Sequence, residues 1–152
     1  MGSDKREVRL REVTAETVRD VCRLSETLSD EQQKMVAPNA VSIAQAHFEP
    51  KAWFRAIYAG ETLVGFVMLY LNPEGADYYL WRLMIGGEHQ GKGYGLHAME
   101  QVIDHVRGLP EATVLRASYV PIEGGPKGFY HKLGFEPTGA VDHGEVVIER
   151  KL

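Results

Sequence analysis

The sequence predicts an α/β (α+β) fold, with helices and strands in the order β-αα(α)-βββ-α-β-α-ββ. Two observations carry this. The hydrophobic period is mostly helical up to Phe48 and strand-like from Ala52. The segment Leu80-Trp-Arg-Leu-Met-Ile-Gly-Gly-Glu-His-Gln-Gly-Lys-Gly-Tyr-Gly-Leu96 then reads as strand, glycine loop and helix start. Glycines let a backbone approach a ligand closely and turn several N–H groups to one point. The positive end of the following helix dipole adds to this, so the loop suits a phosphate.

Each element has its own signal. Val8-Arg9-Leu10-Arg11 alternates as a short strand. Thr14 can cap a helix that turns Val18, Val21 and Leu24 inward. Ser29-Asp30-Glu31 starts another helix, Val36-Ala37-Pro38-Asn39 interrupts, and residues 41–48 form a third helix stopped before Pro50. Strands over 52–59 and 63–71 meet at Gly60-Glu61-Thr62, and Asn72-Pro73-Glu74-Gly75 turns into a strand over 77–85. A helix over 93–107 ends at Gly108 and Pro110. A strand over 113–119 precedes a short helix over 127–133, stopped by Gly134. Strands over 135–140 and 145–149 flank Asp142-His143-Gly144.

Composition sets bounds on function. The 152 residues suit one domain, 1–152, long enough to bury a core. No apolar run approaches the ~20 residues of a membrane span, and Met1-Gly2-Ser3-Asp4-Lys5 lacks the apolar core of a signal peptide. A formal charge of −4 argues against a nucleic-acid partner. The single cysteine, Cys22, excludes an internal disulfide and reads as a buried apolar residue. The histidines show no metal-binding spacing, so no metal is expected. A cytoplasmic protein is expected, and a homodimer is compatible with the chain.

Three phosphate-binding patterns compete for the loop. In G-x-G-x-x-G, Gly91 and Gly93 fit, but Leu96 occupies the third glycine's place. In G-x-x-x-x-G-K-[ST], Gly86, Gly91 and Lys92 fit, but Gly93 replaces the hydroxyl that would hold magnesium. The third pattern, Q/R-x-x-G-x-G/A, is matched in full by Gln90, Gly93 and Gly95.

That third pattern is the pyrophosphate-binding motif of the GNAT N-acetyltransferases. Phe129-Tyr130-His131-Lys132-Leu133-Gly134-Phe135, one helix and one strand later, resembles the family's aromatic-Tyr-x-x-x-Gly-Phe segment. The resemblance spans nearly the whole chain. It implies a mixed, mostly antiparallel central sheet flanked by helices and splayed where acetyl-coenzyme A binds. It also implies a cofactor site built from Gln90, Gly91, Lys92, Gly93, Tyr94 and Gly95. The backbones of Met84 and Ile85 would hold the pantetheine arm, with a bulge at Gly86-Gly87 opening the gap. Phe129 falls within the second motif. Glu123 and Pro126 stand where many members carry Asn and Ala, so the usual Asn contact is replaced.

The resemblance assigns Tyr130 as general acid, a role its unperturbed pKa near ~10 allows. Glu123, Glu145, Glu88 and a water chain compete as the proton acceptor, with Glu145 chosen. The Phe66–Tyr70 stretch and the ending Gly144-Glu145-Val146-Val147 resemble small bacterial polyamine acetyltransferases. Trp81 and Arg82 stand where some of that branch place an acid. Trp81 could hold a cation on its ring face. Arg82 would suit a carboxylate-bearing acceptor. The N-terminal helices carry Glu26, Glu31 and Asn39, a polar wall able to attract a cationic amine. Polyamines therefore lead as acceptor, ahead of aminoglycoside-like and amino-acid amines. A non-catalytic acyl-coenzyme A sensor is the competing class.

Overall fold

The computed structural model describes residues 7–152. The polar N-terminal stretch read above lies outside the described residues. Seven strands form one sheet in the order β1-β2-β3-β4-β5-β7-β6. They are β1 (Val8–Arg11), β2 (Ala52–Ala59), β3 (Thr62–Asn72), β4 (Asp77–Ile85), β5 (Val114–Tyr119), β6 (Glu136–Asp142) and β7 (Glu145–Lys151). Every neighbouring pair is antiparallel except β4 and β5. Those two run parallel and meet at one register pair, Tyr79 opposite Arg116. Beyond it their C-terminal ends part, and the mixed, splayed sheet expected from sequence is present.

Two apolar layers cover the sheet. On one face, α4 (Tyr94–Arg107) buries Tyr94, Ala98, Met99, Val102, Ile103 and Val106 against Leu80, Leu115 and Ile148. Those helical residues recur at the spacing of one helix face. The short helix α5 (Lys127–Lys132) packs Phe129 and Tyr130 on the same cluster. On the other face lie α1 (Val18–Arg23), a 3-10 turn over Leu24–Thr27, α2 (Asp30–Gln33) and α3 (Asn39–Phe48). Val21, Leu24 and Leu28 meet Phe66, Met68 and Met84 there. No helix among the described residues is long and apolar enough to cross a membrane.

Local chemistry moved three expectations. Thr14 does not cap α1. It opens a turn in which its N–H donates to Thr17 Oγ1 at 2.9 Å, and the helix starts at Val18. The third helix starts at Asn39, because Pro38 sits just before its first turn, where a missing N–H costs nothing. Cys22 is partly exposed, not buried.

The bulge also lies elsewhere than expected. Arg82 pairs with Met68, while Leu80 pairs with Leu69, so Trp81 is the extra residue in β4. Gly86 and Gly87 instead dock on the end of the Leu24–Thr27 turn. The Gly87 N–H donates to Thr27 Oγ1 at 2.8 Å, and a β-carbon on Gly87 would lie 2.2 Å from the Thr27 carbonyl oxygen.

Candidate active site

The gap between β4 and β5 opens into a cleft of about 650 Å³. This lies within the range of about 300–1,000 Å³ common to small-molecule sites. Its position, at the C-terminal ends of the two parallel strands, is where open α/β sheets bind ligands.

The β4 wall offers unpaired backbone to the gap. The Gly86 N–H donates to the Val64 carbonyl at 2.8 Å, which makes that opposed pair a hydrogen-bonded one. Such pairs alternate along an antiparallel ladder, so Met84 also turns its N–H and C=O toward β3. Consistently, a β-carbon on Gly65 would lie 2.5 Å from the Met84 carbonyl oxygen. This corrects the expectation for Met84. The groups facing the gap belong to Leu83 and Ile85. The Ile85 carbonyl already accepts from Gln90 Nε2 at 2.9 Å.

The loop after β4 is tied down before its helix begins. Gln90 Oε1 accepts from Gln32 Nε2 at 2.9 Å, and Gln90 Nε2 donates back at 3.3 Å. Gln32 is in turn held by a reciprocal capping box with Ser29. Gly93 has φ 87° and caps α4, whose first bond runs from the His97 N–H to the Gly93 carbonyl at 3.1 Å. The first-turn amides of α4 therefore have no carbonyl partner within the helix. Gly95 lines the cleft, and a β-carbon there would lie 3.2 Å from the Phe129 ring. The Tyr94 ring is buried in the core, so only its backbone can serve a ligand. Gly91, Lys92 and Glu123 are exposed and lie off the cleft lining, whereas Pro126 and Phe129 line its far wall with Gly124 and Gly125.

Tyr130 reaches the cleft from α5, wedged among Tyr119, Phe129 and Phe135 at ring separations of 6.2, 5.3 and 5.4 Å. Burial first, then the nearby Glu145 carboxylate and Tyr79, push its phenol pKa up to about 12. Below pH ~10 the folded and unfolded chains both keep this proton, and the contribution to stability is fully present. As pH rises from there through about 12, the unfolded chain loses a proton that the folded one retains, so stability falls. Urea unfolding between pH ~9 and ~11 should show a shallower decline for Tyr130→Phe than for the wild type. Parallel declines would place the phenol in a water-like setting.

Two charged residues among those described line the cleft from opposite sides of the gap, Arg82 on β4 and Glu145 on β7. Glu145 Oε1 accepts from Ser118 Oγ at 3.0 Å. Arg82 donates to the Trp81 carbonyl at 3.2 Å and to Gln45 Oε1 at 3.1 Å, with its guanidinium 5.5 Å from the Trp81 ring. Leu28, Gln32, Met35 and Val36 close this end from the α1–α3 side.

Three residues expected to bind substrate do not face the cleft. Asn39 is buried, and its amide donates to the Val21 carbonyl at 2.8 Å and to Met84 Sδ at 3.6 Å, which pins α3 to α1. Glu26 and Glu31 are exposed outside the lining, because their turns present Leu24, Leu28 and Gln32 inward instead. Sequence reasoning missed Tyr79, Leu83, Ser118 and Gln45. The alternation of Arg116 and Ser118 with buried Leu115, Ala117 and Tyr119 was a readable signal for Ser118. Tyr79 alternates in the same way with buried Tyr78 and Leu80, whereas Leu83 and Gln45 depend on the bulge and on α3 docking. Among the described residues no group of three or more His, Cys, Asp or Glu side chains could hold a metal.

A model of the acetyltransferase (GNAT) family matches residues 18–135. The chain belongs to the GNAT acetyltransferase family. GNAT enzymes take the acetyl group from acetyl-coenzyme A, and this chain is an acetyl-coenzyme A-dependent acyltransferase. The cleft fits that co-substrate: cleft-facing backbone on β4, a glycine-rich helix start beside it, and a glycine–proline wall opposite. Several solved structures share the fold. An acetyltransferase from Thermus thermophilus is 22% identical, with a TM-score of 0.76 over 95% of this chain and 97% of that one. The PaiA N-acetyltransferase of Thermoplasma acidophilum, solved with coenzyme A, is 20% identical, with a TM-score of 0.66 over 96% and 99%. RimL, a ribosomal L7/L12 alpha-N-protein acetyltransferase solved with coenzyme A, is 13% identical, with a TM-score of 0.77 over 98% and 96%. No curated protein sequence matches the chain.

Proposed function

We propose that this GNAT enzyme is an N-acetyltransferase acting on the primary amine of a small molecule, with Tyr130 as general acid. The carrying observation is the place of the Tyr130 phenol, set in the cleft wall between α5 and the gap among Tyr119, Phe129 and Phe135. When bound, acetyl-coenzyme A supplies the activated thioester. The β4 backbone at Leu83 and Ile85, the first-turn amides of α4 and the Gly124-Gly125-Pro126 wall would hold it. The Tyr130 hydroxyl keeps its proton through neutral pH and can release it to a departing thiolate. Glu145, which accepts a hydrogen bond from Ser118, would accept a proton from an entering ammonium.

A polyamine would call for two or more carboxylates in the cleft. Glu145 is the one acid among the described lining residues, so an acceptor with a single ammonium fits better. Thiol release from acetyl-coenzyme A, with mass analysis of the products, should show one acetyl group added per amine across a panel of small primary amines. Tight acetyl-coenzyme A binding without any acetylated product would overturn the enzymatic reading in favour of an acyl-coenzyme A sensor.

A further inference from the structure

The geometry points to an acceptor that carries a carboxylate beside its amine, an amino acid or a similar small zwitterion, with Arg82 as the carboxylate-binding residue. This rests on the acetyl-transfer reading above and deepens it.

The first observation is how Arg82 comes to face the cleft. In a regular strand, alternate residues point to opposite faces. Leu80 packs on the α4 side, so Arg82 would be aimed into that apolar core. The extra residue at Trp81 reverses the alternation. Beyond it Leu83 and Ile85 pack on the α4 side, while Trp81 and Met84 belong to the cluster under α1–α3. Arg82 now points with them, and α3 meets it through Gln45. Bulges re-aim side chains in this way next to active sites.

The second observation is what Arg82 lacks. Its two terminal nitrogens bond neutral oxygens, those of Trp81 and Gln45. Its Nε is buried without a partner. Among the described residues Arg82 forms no salt bridge; Arg19 and Arg23 form none either, but Arg82 alone of the three lines the cleft. A half-buried cation whose direct partners are all neutral is costly, and an anionic ligand bonded to it offsets that cost. A planar guanidinium held by its neighbours is suited to a carboxylate. Burial lowers the Arg82 pKa and the Glu145 field raises it, so the two charges sense one another across the pocket.

Together they form a pocket with one positive and one negative side. Arg82 would take the carboxylate, while Glu145 faces the ammonium toward the Tyr130 side. A polyamine offers Arg82 nothing but repulsion.

The test compares an amino acid, the amide of the same amino acid and spermidine. Each is measured with wild type, Arg82→Ala and Arg82→Lys. Wild type should prefer the amino acid over its amide by roughly 10- to 100-fold in kcat/KM, the range of a charge-assisted hydrogen bond, chiefly through KM. Arg82→Ala should erase that preference, and Arg82→Lys should restore part of it. An acetyl-coenzyme A-induced rise in melting temperature shows that each variant is folded with its cofactor site intact. Faster turnover of spermidine than of any amino acid, or a preference that survives Arg82→Ala, would overturn the inference and leave acetyl transfer standing. Cofactor binding with turnover of none of the three classes would overturn both.

Discussion

Tyr130→Phe should lower kcat by roughly 10²–10⁴-fold, the span expected when a general acid is lost. The substitution is nearly silent for packing. The ring keeps its contacts with Tyr119, Phe129 and Phe135, and only the hydroxyl leaves. Acetyl-coenzyme A affinity should therefore stay within about threefold, because the proposed cofactor contacts are backbone groups of β4 and α4. Steady-state kinetics with a binding titration separate the two effects. The split is the informative part: a residue that merely shaped the cleft would change affinity along with rate. If kcat is unchanged while a pre-steady-state experiment shows chemistry to be rate-limiting, the proton comes from water or another group.

Gly93→Val should abolish acetyl-coenzyme A binding. Gly93 holds φ 87°, a region that a β-branched residue essentially cannot occupy. The helix start would have to rebuild, and the first-turn amides would lose their common aim. Hydrogen bonds to charged groups are worth about 1.5–3 kcal/mol each, so losing two weakens binding by more than about 100-fold. The readout is the ligand-induced stabilisation, about 2.7 kcal/mol when ligand is a hundredfold above Kd; it should vanish in the variant. Gly93→Asn should retain more binding, since Asn tolerates the left-handed region. A folded Gly93→Val protein with wild-type affinity would show that the phosphates bind elsewhere.

The two motifs were legible in sequence because both are local. A glycine loop between a strand and a helix, and an aromatic pair before Gly134-Phe135, announce themselves by neighbouring residues alone. Element order was equally legible, since the change of period at Ala52 is a pairwise property of nearby side chains. What could not be read depends on register. One extra residue at Trp81 decides the face for Arg82, Leu83, Met84 and Ile85, and no residue type in Leu80–Ile85 announces it. The apolar character of the run pointed to a buried strand, and its single arginine looked like a departure. Asn39 failed for a related reason. A polar residue at a helix start looks solvent-facing until the docking of α3 on α1 is known. Glu26 and Glu31 sit in turns of four residues each, too short for periodicity to orient them.

The single rung between β4 and β5 divides the sheet into two antiparallel blocks, β1–β4 and β5–β7, sharing one strand-to-strand seam. Continuous sheets distribute their ladder across every neighbour. This one forgoes it between the residues after Tyr79 and those after Arg116. Each block keeps its own antiparallel ladder, and the two meet across the seam through the shared apolar core. Local opening is cheapest where backbone bonds are fewest. A ligand that lies along the seam and bonds the cleft side of β4 would act as a substitute strand, binding the halves together while it is present. Occupancy should then raise rigidity at the seam: with ligand bound both edges of the gap have backbone partners, and after release the halves are joined by one rung and by the shared apolar core.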